Sequence, residues 1–297
     1  MPARRASRST LESPAQVLGQ MTPWQRSDGF VGFSTELDVP TAWQSSAHAI
    51  EFVWPIVVAN WIEPRCCVHS IEGRNITLAD PCGALIMKRN VYAKTLAPPA
   101  RIEAVPTKTP SPGSFFHDPS SGMMFYTLQS DETSADLEAR SFTTDMESLL
   151  VISNCSQHSW INISFQASTW FQPNTPAGYV DTQSCVYASD ETGKAAEPPA
   201  AVTISLSSDI EISGCEFSAI GSPYALLAGS SSHRINITQS NFHDLSGGAV
   251  RKYLLPSFFR VTIEFIDIDV HFVQVWETFS ASMIKSQTAP SYCTTIL

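Results

Sequence analysis

Two stretches of the chain repeat one apolar pattern at a spacing of about 25 residues, and this repeat limits the folds that the chain can adopt. Residues 209–220 read DIEISGCEFSAI, and residues 234–245 read RINITQSNFHDL. The alignment pairs Ile210 with Ile235, Ile212 with Ile237, Phe217 with Phe242, and Ile220 with Leu245. A fixed period in this range is typical of proteins built from stacked structural repeats.

The pattern inside each repeat indicates which repeat architecture is formed. An Ile-x-Ile triplet is a short strand with two side chains on one face, and it is followed by a polar corner and an apolar Phe. One coil of this kind cannot bury its own apolar face, whereas the next coil stacked on it can. The repeat therefore predicts an all-β protein that contains a parallel β-helix.

The rest of the chain divides by pattern into further segments. We expect residues 1–30 to be irregular, residues 31–130 to form a small β-rich domain, and residues 140–252 to form the β-helix. The stretch 31–130 has short strands broken by Pro and Gly, including hairpins with turns at 72–74 and 118–122, which suggests a sandwich or barrel-like unit. Residues 166–199 are expected to form a long excursion from one coil, and such loops are often functional.

Residues 253–297 are predicted to be an atypical tail. No Gly or Asn occurs after residue 249, whereas β-helix corners depend on residues that tolerate positive φ. Our hypothesis is that this tail lies outside the β-helix and is a mistranslated or spliced end. Asp267, Asp269 and His271 alternate there and could bind a metal, but the outer face of a strand explains them better, so no metal site is predicted.

Charge and composition exclude several functional classes. Only 15% of residues are charged, the formal net charge is −10, and the sequence has no basic stripe of the kind that binds nucleic acid. No apolar run reaches the roughly 18 residues that a membrane-spanning helix needs. The sequence has no GxSxG, HExxH, C-x-x-C or phosphate-binding glycine motif, and no cofactor is predicted.

The cysteines and glycosylation sequons favour a secreted or extracellular protein, although residues 1–10 do not form a secretory signal. Folding of the 67–78 hairpin would bring Cys82 near Cys66 or Cys67, so one local disulfide is expected, and Cys215 is interpreted as a buried thiol. The four sequons begin at Asn75, Asn154, Asn162 and Asn236. Glycosylation is one interpretation, and the alternation of polar and apolar residues on a strand is the other.

Several short motifs follow one another along residues 30–250. Residues 111–126 read SPGSFFHDPSSGMMFY, residues 101–103 read RIE and are followed by Ala104, and further segments lie at 50–54, 61–66, 76–82, 169–173 and 178–183. These motifs resemble those of secreted, right-handed parallel β-helix proteins of the pectin-lyase-like type, which have a PGEWYLD…GTLYY hairpin and a RIEN motif where this chain has Ala104 in place of Asn. Some members are glycoside hydrolases that act on xylans or fucosides, so the resemblance implies a small β-domain with a right-handed β-helix and a polysaccharide partner.

The resemblance does not transfer a catalytic residue, because the catalytic carboxylates of such enzymes generally lie in coils beyond the one that ends at Val250. From the sequence itself, the outward positions of the repeats supply candidate acid and base groups, since glycoside hydrolysis needs two facing carboxyl groups. These candidates are Asp209, Glu211, Glu216, His243 and Asp244. The alternative is a solvated outer face, with Asp209 and Arg234 forming a surface ion pair rather than part of a lyase site.

Aromatic residues around the long excursion are candidates for binding sugar rings, since such rings stack on the apolar faces of sugars. These are Trp160, Trp170, Phe171 and Tyr179. The alternative is that they cap the β-helix core. The sequence therefore predicts a carbohydrate-active protein that hydrolyses glycosidic bonds. A non-catalytic glycan-binding or structural β-helix, or a truncated inactive product, is the alternative.

Overall fold

The computed structural model describes residues 5–54, 62–89, 96–183, 185–229 and 231–252, together with the strand Val261–Ile268. The protein is mostly β, with 45% strand and 11% helix. It forms two compact units. The N-terminal unit comprises Ala6–Phe142 and Phe171–Glu197, and the repeat unit comprises Met1–Arg5, Thr143–Trp170 and Pro198–Leu297.

The described residues of the N-terminal unit form short strands, four helices and two 3-10 turns. Its strands are β1 (Ser7–Arg8), β2 (Thr10–Leu11), β3 (Met21–Gln25), β4 (Val31–Thr35), β5 (Glu51–Val53), β6 (Arg65–Glu72), β7 (Asn75–Leu78), β8 (Arg101–Glu103), β9 (Ser114–Asp118), β10 (Met123–Tyr126), β14 (Asp181–Gln183), β15 (Val186–Ala188) and β16 (Ala195–Ala196). Its helices are α1 (Ala15–Leu18), α2 (Thr41–Gln44), α3 (Cys82–Arg89) and α4 (Ser134–Arg140), and the 3-10 turns are Ala47–Ala49 and Gln172–Asn174.

An antiparallel sheet of seven strands, in the order β2-β8-β5-β6-β7-β4-β3, organises the N-terminal unit. Its alternating apolar residues bury one face, where Phe33, Phe52 and Trp54 are almost fully covered. Both predicted hairpins are present, β6–β7 and β9–β10. Residues 1–30 were expected to be irregular but hold β1, β2, α1 and β3. Because β1 and β2 are two residues long and pair with the distant strands β9 and β8, no local pattern indicates them.

The expected disulfide joins Cys66 to Cys82, with 2.00 Å between the sulfur atoms. Neighbouring side chains on a strand point to opposite faces, so Cys66 and Cys67 cannot both face Cys82. Cys66 lies on the core face with Phe52, its partner in the sheet register, while Cys67 is a buried free thiol on the other face. This alternation decides between the two pairings that the sequence left open.

The repeat unit consists of strands that stack in parallel. Its strands are β11 (Leu150–Ser153), β12 (Ser156–Ile161), β13 (Ser164–Ser168), β17 (Ala200–Ser205), β18 (Ser208–Ser213), β19 (Glu216–Ile220), β20 (Tyr224–Ala228), β21 (His233–Leu245), β22 (Gly248–Lys252) and β23 (Val261–Ile268). One sheet has the order β11-β17-β20-β22, and the other has the order β12-β18-β21-β19-β13, with β23 added to β21.

The predicted repeat alignment is confirmed by the strand register. Ile210 pairs with Ile235 and Ile212 with Ile237 between β18 and β21, while β19 aligns Phe217 with Phe242 and Ile220 with Leu245. All five isoleucines and both phenylalanines are buried in one continuous core. Cys215 belongs to the same core, as expected, and its thiol donates to the carbonyl of Ser213 at 3.5 Å.

The first coil aligns differently from the sequence expectation. In the sequence, Ile161 and Ile163 lie about two repeat lengths before Ile210 and Ile212, which predicts that they align, but the register instead aligns His158 with Ile210 and Trp160 with Ile212. Phe165 stacks on Phe217 with 5.0 Å between ring centroids, and this contact is consistent with that alignment. Ile161 and Ile163 are consequently exposed.

Residues with positive φ recur at equivalent corners of successive coils. One such set is Gln157, Asp209 and Arg234; a second is Asn162, Gly214 and Gln239; a third is Ala167, Ala219 and Asp244. Of these nine residues, one is Gly and one is Asn. The corners therefore do not require Gly or Asn, although the prediction of an atypical tail assumed that they do. In contrast to that prediction, β23 continues the stack, with Val261 aligned to Ile235 and Ile263 to Ile237.

Candidate functional site

The outer face of the β12–β18–β21 stack carries polar residues in register. Glu211 lies between Ser159 and Asn236 in the parallel ladder, because it alternates with the buried Ile210 and Ile212. Ser159 Oγ donates to Glu211 Oε2 at 2.9 Å. This hydrogen bond links the first and second coils and holds an exposed carboxylate on the sheet surface.

Glu216 and His243 form an acid–base contact where β19 lies between β13 and β21 in the same sheet. His243 Nε2 lies 2.9 Å from Glu216 Oε1, and Ser164 Oγ donates to Glu216 Oε2 at 3.2 Å. The side chain of Glu216 is 41% exposed and that of His243 is 34% exposed, so a ligand in solvent can reach both. The hydrogen bond from His243 holds the pKa of Glu216 below its usual value, with smaller effects from Ser164 and Gln166.

Asp209 forms a bidentate ion pair with Arg234, the residue at the same position of the next coil. Arg234 Nε and Nη2 lie 2.5 and 2.6 Å from the two carboxylate oxygens. These hydrogen bonds lower the pKa of Asp209 to about 2, with a further contribution from Ser208. This is the surface ion pair that was the alternative interpretation of the sequence. With its pKa lowered, the Asp209 carboxyl group stays ionised near neutral pH and cannot act as a proton donor there.

Asp244 lies at the corner after Phe242 and contacts the N-terminal residue Arg5. Arg5 Nη2 is 3.3 Å from Asp244 Oδ1, and the same guanidinium donates to Ser246 Oγ and to the carbonyl of Ile220. Arg5 therefore ties together the ends of two neighbouring strands. In the described part of the chain, no two of the four candidate carboxylates share a hydrogen-bond or ion-pair partner.

The four candidate aromatic residues do not belong to one unit. Trp160 and Trp170 lie in the repeat unit, whereas Phe171 and Tyr179 lie in the N-terminal unit. Trp160 is in register with the buried Ile212 and packs against the core. This position favours the alternative that Trp160 caps the core of the repeat unit. Phe171 is 47% exposed, and Tyr179 lies 6.2 Å from Tyr187, measured between ring centroids.

A second cluster of charged residues, in the N-terminal unit, was not singled out from the sequence. It joins three carboxylates and three guanidinium groups on the face of the seven-stranded sheet opposite the core: Glu51, Glu63, Glu103, Arg8, Arg65 and Arg101. The signal was the alternation in Glu63-x-Arg65 and Arg101-x-Glu103, which places two charges on one strand face.

Arg65 lies at the centre of this cluster. It approaches Glu103 at 2.6 Å, Glu63 at 2.7 Å and Glu51 at 3.3 Å. Burial alone would lower the pKa of Arg65, but the charges of the three carboxylates outweigh it and raise the pKa. Glu51 is almost fully buried, and its other oxygen pairs with Arg8 at 2.7 Å, so a ligand cannot reach its carboxylate without rearrangement.

The described residues hold no group of three or more His, Cys, Asp or Glu side chains that could bind a metal ion. Of the tail residues considered for such a site, Asp269 and His271 lie outside the described residues, and only the backbone of Asp267 is described. Over the same part of the chain, no helix has the length and apolar character needed to cross a membrane.

Comparison with known proteins shows a shared fold. Among solved structures, a protein described as a glycoside hydrolase superposes with a TM-score of 0.63 at 15% sequence identity. The match covers 84% of this chain but 46% of the glycoside hydrolase, so this chain spans less than half the length of that structure. No protein family and no curated protein matches the sequence.

Proposed function

We propose that this chain is a carbohydrate-active protein whose repeat unit is a right-handed parallel β-helix. The observation that carries the proposal is the fold shared with a glycoside hydrolase over 84% of the chain. The exposed polar face of the stacked sheet supports it, because polar groups that repeat along neighbouring strands suit a ligand with many hydroxyl groups.

The first candidate activity is hydrolysis of glycosidic bonds in a polysaccharide. Hydrolysis needs one carboxyl group as a general acid and a second as a base or nucleophile. Glu216 fits the second role, because its pKa is lowered and its carboxylate remains accessible beside His243. Glu211 is the candidate acid, since no cationic side chain among the described residues pairs with its carboxylate, whereas Asp209 is paired with Arg234.

The second candidate is glycan binding without hydrolysis. It is favoured by the separate partners of the candidate carboxylates, since Asp209 pairs with Arg234 and Asp244 with Arg5. Asp209 and Glu216 both have lowered pKa values, whereas a glycosidase acid needs a raised one. In this alternative, Glu211, Glu216 and His243 accept and donate hydrogen bonds to sugar hydroxyls.

A screen against a panel of plant and algal polysaccharides separates the two candidates. Release of new reducing ends by the purified chain would demonstrate hydrolysis, and retention in affinity electrophoresis without such release would demonstrate binding. If none of the polysaccharides is either hydrolysed or bound, the proposal is refuted.

Variants then locate the site. If the chain hydrolyses glycans, Glu216→Gln and Glu211→Gln should each lower the rate by about 100-fold or more, as expected for the loss of an acid or base. Glu72→Gln, at the exposed end of β6 beside the hairpin turn, is the matched control and should leave the rate unchanged. Activity that survives combined Ala substitution of Asp209, Glu216 and Asp244 would rule out this assignment.

A further inference from the structure

We propose that Asn154 and Asn162 carry N-linked glycans that shield the open edge of the repeat unit. The proposal goes beyond the carbohydrate-active function and does not depend on it. It rests on two acceptor sequons located on the exposed edge coil of a parallel stack.

The first coil of the repeat unit lies at the edge of its sheets. β11 is the terminal strand of one sheet, and β12 and β13 are the terminal strands of the other. Three apolar side chains of this coil face solvent: Val151 is 64% exposed, Ile161 55% and Ile163 38%. An exposed sheet edge with apolar side chains promotes pairing with other chains, so proteins usually cover or blunt such edges.

Both acceptor residues lie in this edge coil. Asn154 and Asn162 have φ values of 55° and 56°, at the corners that follow β11 and β12. Their backbone N–H groups donate to the carbonyls of Ser205 and Ser213 in the second coil, at 3.2 and 2.9 Å. The backbone of each corner is therefore fixed to the stack.

The side chains of these two residues are available for modification. Both are exposed, as are the sequon residues Ser156 and Ser164. Among the described residues, neither amide nitrogen has a hydrogen-bond partner. The side chain of Asn162 packs over Gly214 at the equivalent corner of the next coil, where a Cβ atom would lie 2.4 Å from Asn162 Oδ1.

The other two sequons differ in position. Asn75 lies in the N-terminal unit, where its Oδ1 accepts a hydrogen bond from Ser34 Oγ at 2.7 Å. Asn236 lies in β21, between the strands that carry Glu211 and Thr262. Only Asn154 and Asn162 lie on the edge coil that a glycan would need to cover.

The modification requires a lipid-pyrophosphate-linked oligosaccharide as the donor, as found in the secretory pathway. The side-chain amide nitrogen forms a bond to the anomeric carbon of the first sugar, and the bond from that carbon to the pyrophosphate oxygen breaks. The amide loses one proton, and the lipid pyrophosphate leaves. No oxidant or reductant is needed.

Secretion of the full chain from a glycosylating eukaryotic host, with a cleavable leader, tests the proposal. Glycopeptide mass spectrometry should find glycans on Asn154 and Asn162. Light scattering after gel filtration should show a monomer that associates after enzymatic glycan removal. Unmodified Asn154 and Asn162 would overturn the proposal, whether or not Asn75 is modified.

A double variant, Asn154→Gly with Asn162→Gly, tests the shielding itself. Gly accepts positive φ without strain and adds no charge, so the fold of both corners is retained. We expect this variant to associate at concentrations where the parent is monomeric, while the control Asn75→Gln stays monomeric. Circular dichroism verifies that the variants are folded, and Ser156→Ala provides a second route to an unmodified Asn154. A double variant that is folded and as monomeric as the parent would show that the glycans have no shielding role.

Discussion

Phe217 and Phe242 stack face to face in the repeat unit, with ring centroids 4.5 Å apart and an angle of 4° between the ring planes. They occupy the same position in neighbouring coils, and Phe165 extends the stack in the coil before. This ladder of rings holds three coils in register, because each ring covers the apolar face of the ring beside it.

Phe217→Ala should destabilise the repeat unit by about 3–5 kcal/mol, because it removes the central ring of the ladder and leaves a cavity in the core. Chemical denaturation followed by tryptophan fluorescence measures this change in the free energy of unfolding. Val151→Ala, at a side chain that is 64% exposed, is the control and should change stability by less than about 0.5 kcal/mol. Equal effects of the two substitutions would contradict the ladder as a source of stability.

Glu51→Gln should destabilise the N-terminal unit by roughly 3 kcal/mol, because it removes a buried charge that pairs with both Arg8 and Arg65. This loss of unfolding free energy lies at the low end of the range expected for breaking a buried ion pair, since both arginines keep some exposure to solvent. Urea denaturation measures the loss, and Glu72→Gln again provides an exposed control. Wild-type stability in Glu51→Gln would show that the cluster does not hold these strands together.

Asp209 should titrate with a midpoint of about 2, as followed by the carboxyl carbon in NMR spectra. The folded-state pKa lies below the unfolded value of about 3.9. The ion pair therefore adds stability above pH 4, and the contribution is lost as the pH falls through about 2. Arg234→Gln should return the Asp209 midpoint toward its ordinary value, and an unchanged midpoint in this variant would contradict the assigned cause.

Removal of the Cys66–Cys82 disulfide by Cys66→Ala with Cys82→Ala should cost about 3 kcal/mol of unfolding free energy. The two cysteines are 16 residues apart in sequence, and a loop of that length accounts for a loss of this size in the chain-entropy description. Thermal unfolding with and without a reducing agent measures the effect. Reduction should lower the melting temperature of the parent but not that of the double variant.

Cys67 should resist alkylation in the folded protein at pH 8. Burial and the nearby charge of Glu51 raise the pKa of this thiol to about 12, so little thiolate forms. Iodoacetamide labelling with peptide mass spectrometry should modify Cys67 only after unfolding in denaturant. Rapid labelling of the native protein would show that this face of the sheet is open to solvent.

Local patterns in the sequence predicted the parts of the fold that depend on periodicity. The apolar repeat correctly paired Ile210 with Ile235 and Phe217 with Phe242, because residues that cover each other in a stack recur at one spacing. The same reasoning failed in the first coil, where the similarity of Ile161 to Ile210 concealed the true alignment with His158. An Ile-x-Ile match does not reveal a shift of register when a long excursion separates two coils.

The candidate site was predicted only in part. Alternation along the strands located Glu211 and Glu216 on the outer face, but it did not reveal that His243 contacts Glu216 or that Arg5 contacts Asp244. The buried Glu and Arg cluster was missed altogether, because its charged residues come from separate segments of the chain that meet only in the folded N-terminal unit.

The spacing of side chains along the strands was enough to predict the β-rich character, the stacked repeat and the hairpin that brings Cys82 to its partner. That this partner is Cys66, that β23 joins the stack, and which charged groups neutralise one another became known from the folded chain. Strand pairing and ion pairing join residues that are far apart in sequence, so a short local pattern does not identify the distant partner.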